Sequence, residues 1–216
     1  MRMRLAILIS ICVVIVALSV VSFLTYENWR THRYDHLIME AAVKHGLPVG
    51  LLKGIMDARG RFNYYTMGEK GEVGLLQVPQ EGVAEYKNAK LSANYKFGYV
   101  CINKAYPPHT GEIKQDVSGP CNICKSRLIP EMWYPEQNVE VGAWYLAKLK
   151  ADIEGADRSG KRDLEDAIPL MVAAYCLTDK NVRAATDNFR NPVLPPGLRN
   201  SIRDILEKYE RYRQRL

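Results

Sequence analysis

Read for its apolar and polar positions, the chain opens on a run with no alternation at all. Leu5 to Leu24 carries no charged side chain. About twenty mostly apolar residues in a helix match the roughly 30 Å hydrocarbon core of a bilayer. Arg2 and Arg4 precede the run. Tyr26 and Trp29 follow it, where aromatic rings favour a membrane interface. From Tyr34 the pattern turns helical, with Leu37, Ile38, Ala41, Ala42 and Val43 on one face, and Gly46 and Pro48 end it. A second helix is expected over 49–58, a glycine-punctuated loop over 60–73 and a short helix over 80–89. Between Leu91 and Met132 the periodicity fades into a stretch rich in Tyr, Lys, Pro and Gly. It returns over Asn138–Ile153, where Val141, Trp144, Tyr145 and Leu149 share a face, and again over Leu164–Leu177, which holds Pro169. A short helix is expected over 179–187. After Pro195 and Pro196 comes a last helix, 197–216. Its inner stripe is Ile202, Ile205, Leu206 and Tyr209, and its charged face is Arg203, Glu207, Lys208, Glu210 and Arg211. No strand pair stands out, so the expected class is mainly α.

Composition narrows the setting. The 216 residues suffice for one ordinary domain and an accessory element, and 47% hydrophobic residues make a core feasible. The net charge of +6 and the pI near 9.0 suit an anionic neighbour: lipid head groups, cell-wall polymer or nucleic acid. No basic run is interleaved with aromatics, so nucleic acid ranks last. A cleaved signal peptide is the alternative reading of the N-terminus. However, the apolar run exceeds the about 7–15 residues of a signal core, and Ala17-Leu18-Ser19 is a poor cleavage site inside it. Residues 1–33 are therefore expected to form an uncleaved single-pass anchor and neck, with 34–216 as the domain beyond it. Cys12 is the only ionisable side chain in the span, which argues against transport by this chain alone.

Several segments, in order, carry a family pattern. They are EAAVKHGLPVGLLKGIM over 40–56, GRF at Gly60–Phe62, GEVGLLQV at Gly71–Val78, PEQNVEVGAWYL at Pro135–Leu146 and AAYC at Ala173–Cys176. Together they resemble the soluble-type (SLT) lytic transglycosylase domain, which has a lysozyme-like fold, from about Tyr34 to Asn188. The resemblance implies a lysozyme-like helical domain with peptidoglycan as its substrate class. It also implies placement in the periplasm, anchored in the bacterial cytoplasmic (inner) membrane.

Family chemistry rests on one carboxylic acid. It protonates a glycosidic oxygen and then acts as base while an anhydro ring closes, work that suits a glutamate whose pKa burial has raised. The family's glutamate stands before a serine in a Glu-Ser-x-Phe segment. Counting back from Phe62, Arg59 holds the glutamate position and Gly60 the serine position. Arginine offers five donors and no acceptor, so it cannot do this work. The asparagine and glycine that follow the family's Ala-Tyr become Cys176 and Thr178, while Gly74, Gln77 and Tyr175 remain as implied substrate-binding positions. A relocated acid would be Glu69 or Glu72 on the loop. Asp57 lies two residues before Arg59 and points about 200° away on a helix. Arg59 itself could hold an anionic group, or pair with Asp57 or Glu72; of these the ion pair is favoured. Arg59→Glu with Gly60→Ser would rebuild the family pair.

The connection from Val78 to Pro135 is longer than the family needs by about twenty-five residues. The surplus, an insertion over about 91–132, carries Cys101, His109, Cys121 and Cys124. Outside the cytoplasmic membrane disulfides persist, and a staple from Cys101 to Cys121 or Cys124 would be worth about 3 kcal/mol. Two other readings stay open: Cys121-x-x-Cys124 as a redox pair, and zinc held by Cys101, His109, Cys121 and Cys124. Haem attachment wants a histidine where Lys125 stands. Cys12 and Cys176 read as buried apolar side chains. The expected role is a non-catalytic, membrane-anchored subunit that docks in a larger membrane complex. The alternatives are peptidoglycan binding, and an active peptidoglycan lytic transglycosylase using Glu69 or Glu72.

Overall fold

The computed structural model describes residues 2–68, 71–91, 99–101, 110–111, 128–156, 164–177 and 196–214. The chain divides into two compact units, Met1–His36 and Leu37–Leu216.

The first unit is built on helix α1, Arg2–His32. Its side chains from Ile9 onward are exposed through the apolar run, and one stretch reaches a mean hydropathy of 2.5, long and apolar enough to cross a membrane. Two of its hydroxyls bond within the helix: Ser19 Oγ donates to Ile15 O and Thr25 Oγ1 to Val21 O, both at 2.9 Å. A lipid setting demands that economy, because hydrocarbon offers polar groups no partner. Beyond the apolar run, Tyr26 and Trp29 stand 6.1 Å apart, and the Arg33 guanidinium lies over both Trp29 (5.0 Å) and Tyr34 (4.7 Å).

The second unit is helical. It comprises α2 (Asp35–His45), of which Leu37–His45 belong to this unit, α3 (Val49–Ile55), α4 (Gln80–Lys90), α5 (Pro135–Ala156), α6 (Leu164–Leu177) and α7 (Pro196–Arg213). Helix α5 begins three residues earlier than its periodicity suggests, because Pro135 fits a first helical turn that has no N–H to satisfy. Helix α6 is buried nearly all round from Ala167 to Cys176, as a central helix must be. It lies against α5 and α7, while α4 lies against α5. Lys44 and His45 at the end of α2 clamp Glu140 of α5 at 2.9 and 3.1 Å. Burial pushes the Glu140 carboxyl up, but these two bonds outweigh it and hold the group below its ordinary range.

Helix α7 seats directly on α3, backbone against backbone. A Cβ on Gly54 would come within 2.8 Å of the Tyr209 nitrogen, and one on Gly50 within 3.1 Å of the Arg213 nitrogen. Two glycines one helical turn apart therefore let the axes approach. The helix expected over 49–58 is α-helical only to Ile55; Met56–Gly60 forms a π turn, in which the Arg61 N–H donates to Met56 O.

Three short strands also occur where the sequence suggested no pairing: β1 (Tyr99–Cys101), β2 (Thr110–Gly111) and β3 (Leu128–Pro130). They form an antiparallel sheet in the order β2-β1-β3, with Val100 opposite both Thr110 and Ile129. Strands of two or three residues are too short to print a period of two on the sequence. The expected helix over 179–187, Glu69, Thr178, His109, Cys121, Cys124 and the Cys101 side chain lie outside the described residues, so the disulfide and zinc readings do as well.

Candidate functional site

The loop after the π turn is held from inside. Arg61 and Phe62 both adopt left-handed backbone, at φ 48° and 55°, and Phe62 is fully buried. Thr66 Oγ1 donates to Asn63 O (2.7 Å) and Gly60 O (3.1 Å), and Met67 and Val78 each bridge to Val73. The segment Gly74–Gln77 then presses against the helix end. A Cβ on Gly60 would sit 2.1 Å from the Leu75 carbonyl oxygen, so only glycine fits there. This corrects the expectation that serine could be restored at position 60. The π turn has brought the Gly60 backbone into the space a side chain needs.

Asn138, fully buried at the start of α5, holds the same segment. Its Oδ1 accepts from Leu76 N (2.9 Å), and its Nδ2 donates to Val73 O (2.8 Å) and Met132 O (2.9 Å). Gly74, at φ +80°, passes so close to Asn138 that a Cβ would fall 2.2 Å from Nδ2. Tyr175 completes the clamp from α6, donating its hydroxyl to Leu76 O at 3.0 Å. Burial pushes its phenol well above the ordinary value. Gln77 is 3% exposed, and its Nε2 donates to Thr66 O (2.8 Å) and Gly74 O (3.2 Å). The three positions that the resemblance offers to substrate thus lie at the centre of this internal network.

Arg59 lies on the other side of the turn. Its guanidinium donates to Glu72 Oε1 at 2.9 Å and to the Cys176 Sγ at 3.5 Å, and stands 5.8 Å from the Tyr175 ring centroid. The pair is shielded, with side-chain exposures of 16% for Arg59 and 6% for Glu72. Of the partners open to Arg59, the structure places Glu72 against it. Asp57 faces α7, accepting from the Tyr212 hydroxyl at 3.0 Å and pairing with Lys208 at 3.5 Å.

A cavity of about 500 Å³ opens beside Arg59, Glu72 and Cys176. Its remaining walls are Ala58, Gly68 and the first turns of α7, where Ser201 and Asp204 face it. Among the described residues two carboxylates border this cavity, Glu72 and Asp204. Glu72 already accepts from a guanidinium, and Asp204 pairs with Lys208 at 3.5 Å. Such a wall can hold polar groups, but among the described residues no carboxyl in it is both buried and without a cation beside it, the setting an acid catalyst of this kind uses. Sequence reasoning missed Asn138 as the clamp, although it stands inside the PEQNVEVGAWYL segment. It also missed Ser201 and Asp204, which no local pattern ties to position 59. No group of three or more His, Cys, Asp or Glu suited to a metal occurs among the described residues.

No protein-family model matches this chain, and no curated protein matches it in sequence. Among solved structures it is similar to an inactive mutant of the lytic transglycosylase Slt from Pseudomonas aeruginosa, with 16% identity over 85% of this chain and a TM-score of 0.52. The match spans 24% of that protein's length. What this likeness shows is the fold, which is distantly lysozyme-like.

Proposed function

We propose that the chain is a membrane-anchored, lytic-transglycosylase-like protein that does not cleave glycan. In this reading it serves as a structural or docking subunit of a larger membrane protein complex. It is held in a bacterial inner membrane by residues 5–24, with its helical domain in the periplasm. The observation that carries the reading is the Arg59–Glu72 pair: a donor-only side chain stands where the family places its acid, and it occupies the Glu72 carboxylate at 2.9 Å. The network around Gly74, Gln77, Asn138 and Tyr175 supports it too, since those positions serve the fold whether or not a substrate is present. The test is gentle detergent extraction of the native protein, followed by sizing and mass spectrometry. Migration at a fixed ratio with a larger membrane assembly is the expected result, and migration alone would overturn the docking role.

A second reading is favoured by one observation: Glu72 is buried and lines the cavity. In it, Glu72 is a relocated acid and the protein is an active peptidoglycan lytic transglycosylase. Release of anhydro-muropeptides from sacculi, lost on Glu72→Gln, would establish it; folded protein that releases none removes it. Arg59→Glu with Gly60 retained asks the complementary question, whether restoring the acid alone restores cleavage.

A further inference from the structure

A second cavity lies away from the degenerate acid position. About 410 Å³ opens between α2 and the start of α5, and it shares no wall residue with the cavity beside Arg59. Leu37, Ala41 and Val139 give it an apolar side; Ala41 and Val139 are buried and Leu37 is half-buried. Beside it on α2, Met39 and Val43 are 53% and 83% exposed, one helical turn apart. Apolar surface rimmed by polar groups marks an interaction site.

The rim is acidic, against the sign of the chain. The net charge is +6, yet the glutamates at 40, 131, 136 and 140 line this groove, with Lys44 the one cation among its described lining residues. Lys44 and His45 are both engaged on Glu140, at 2.9 and 3.1 Å. Glu131 is enclosed, at 8% exposure. Glu40 and Glu136 stand exposed at the lip, one on each helix. Carboxylates at the edge of an apolar groove attract cations and repel phosphate, acidic peptide and anionic lipid. They do not converge on a point: among the described residues no group of three or more suits a metal ion. The complementary partner is therefore extended, apolar along its middle and basic at its margins. From Leu37 to Lys44 helix α2 rises about 10 Å, two turns, which a facing helix matches with apolar side chains at i, i+3 or i+4, and i+7.

We propose that this groove docks a helical segment of a partner protein, one whose apolar stripe is bordered by lysine or arginine. The assignment rests on the docking role proposed above, and it gives that role a surface and a partner chemistry.

The test uses the full chain in detergent micelles and a fluorescein-labelled helical peptide of about 18 residues, with leucines at the i, i+3, i+4 and i+7 spacing and lysines beside them. Fluorescence anisotropy is read against empty micelles. Saturable binding is expected, weakened by added salt and about tenfold weaker in Glu40→Lys with Glu136→Lys. Glu40→Gln, a milder change at an exposed position, gives the same sign should the double variant melt early. Glu207→Lys with Glu210→Lys makes the same change of charge on the exposed face of α7 and is expected to leave binding unchanged. A peptide with glutamates in place of its lysines is expected not to bind. No saturable binding above empty micelles overturns the proposal, as does binding that the groove variants and the α7 pair weaken equally. The docking role is read separately, on extracted membranes. Wild type that migrates alone overturns that role and this surface with it. Wild type and the groove double variant that both migrate with the assembly overturn this surface alone.

Discussion

Gly60→Ala is the perturbation that probes the site most directly. A Cβ there would lie 2.1 Å from Leu75 O, 2.9 Å from its carbonyl carbon and 3.1 Å from its Cα. All three are backbone atoms, so no side chain can swing aside. Relief requires the 74–77 segment to retreat by roughly 1 Å, given that non-bonded heavy atoms of this kind settle near 3.5 Å only when the backbone cooperates. That retreat strains the bonds from Leu76 N to Asn138 and from Tyr175 to Leu76 O, at 2.9 and 3.0 Å. Overpacking costs about 1–3 kcal/mol, and a buried polar group left without its bond costs about 1–3 kcal/mol more. Against this, alanine gains about 0.5–1 kcal/mol over glycine in helical backbone. The net is a loss of about 2–4 kcal/mol, which for a chain of this size lowers the melting temperature by about 4–16 °C. Near-UV circular dichroism of the full chain in detergent measures it. Gly155→Ala in α5 is the control, because a Cβ there meets nothing within 4 Å and should stabilise slightly. A Gly60→Ala melting temperature equal to or above wild type would refute the contact and the argument built on it.

Three further outcomes follow from the same geometry. Arg59→Met should destabilise by about 3 kcal/mol by stranding the Glu72 carboxylate, and adding Glu72→Met should recover most of that loss, as urea melts of the two variants would show. Asn138→Ala removes three buried bonds and should cost about 3 kcal/mol or more while slowing no step of membrane insertion, measured as a lowered denaturant midpoint with unchanged membrane yield. Burial raises the phenols of Tyr145 and Tyr175 above their ordinary value of 10.0. The folded state therefore holds these protons more tightly than the unfolded one. Its stability is intact below about pH 10 and is lost as the pH rises beyond. Melting temperatures between pH 8 and 11.5 should fall steeply above 10, less so in Tyr145→Phe, and a flat profile would contradict the assignment.

The helical elements were legible because each covers several turns of period. The apolar run of α1, the buried α6 and the amphipathic α7 print their character over 14 residues or more. The π turn was not legible, since Met56–Gly60 differs from an α-helix in the register of its backbone hydrogen bonds and not in any residue pattern. Neither were the two- and three-residue strands. At the site, the sequence exposed Arg59 by its place before Phe62 and offered Glu72 as a partner among several. It could not show that the guanidinium reaches Glu72 rather than Asp57, because that depends on α7 claiming Asp57 through Tyr212 and Lys208, some 150 residues later.

The family-like residues divide by what they touch. Gly74, Gln77, Asn138 and Tyr175 form one network of buried bonds around Leu76, and removing any of them leaves a polar group or a void inside the fold. Position 59 borders a cavity, and its arginine pairs there with Glu72 at 2.9 Å. The clamp residues are enclosed by the fold, and loss of the clamp costs it several kilocalories per mole. Resemblance at Gly74, Gln77, Asn138 and Tyr175 therefore measures folding, and only the side chains that border the cavity bear on chemistry.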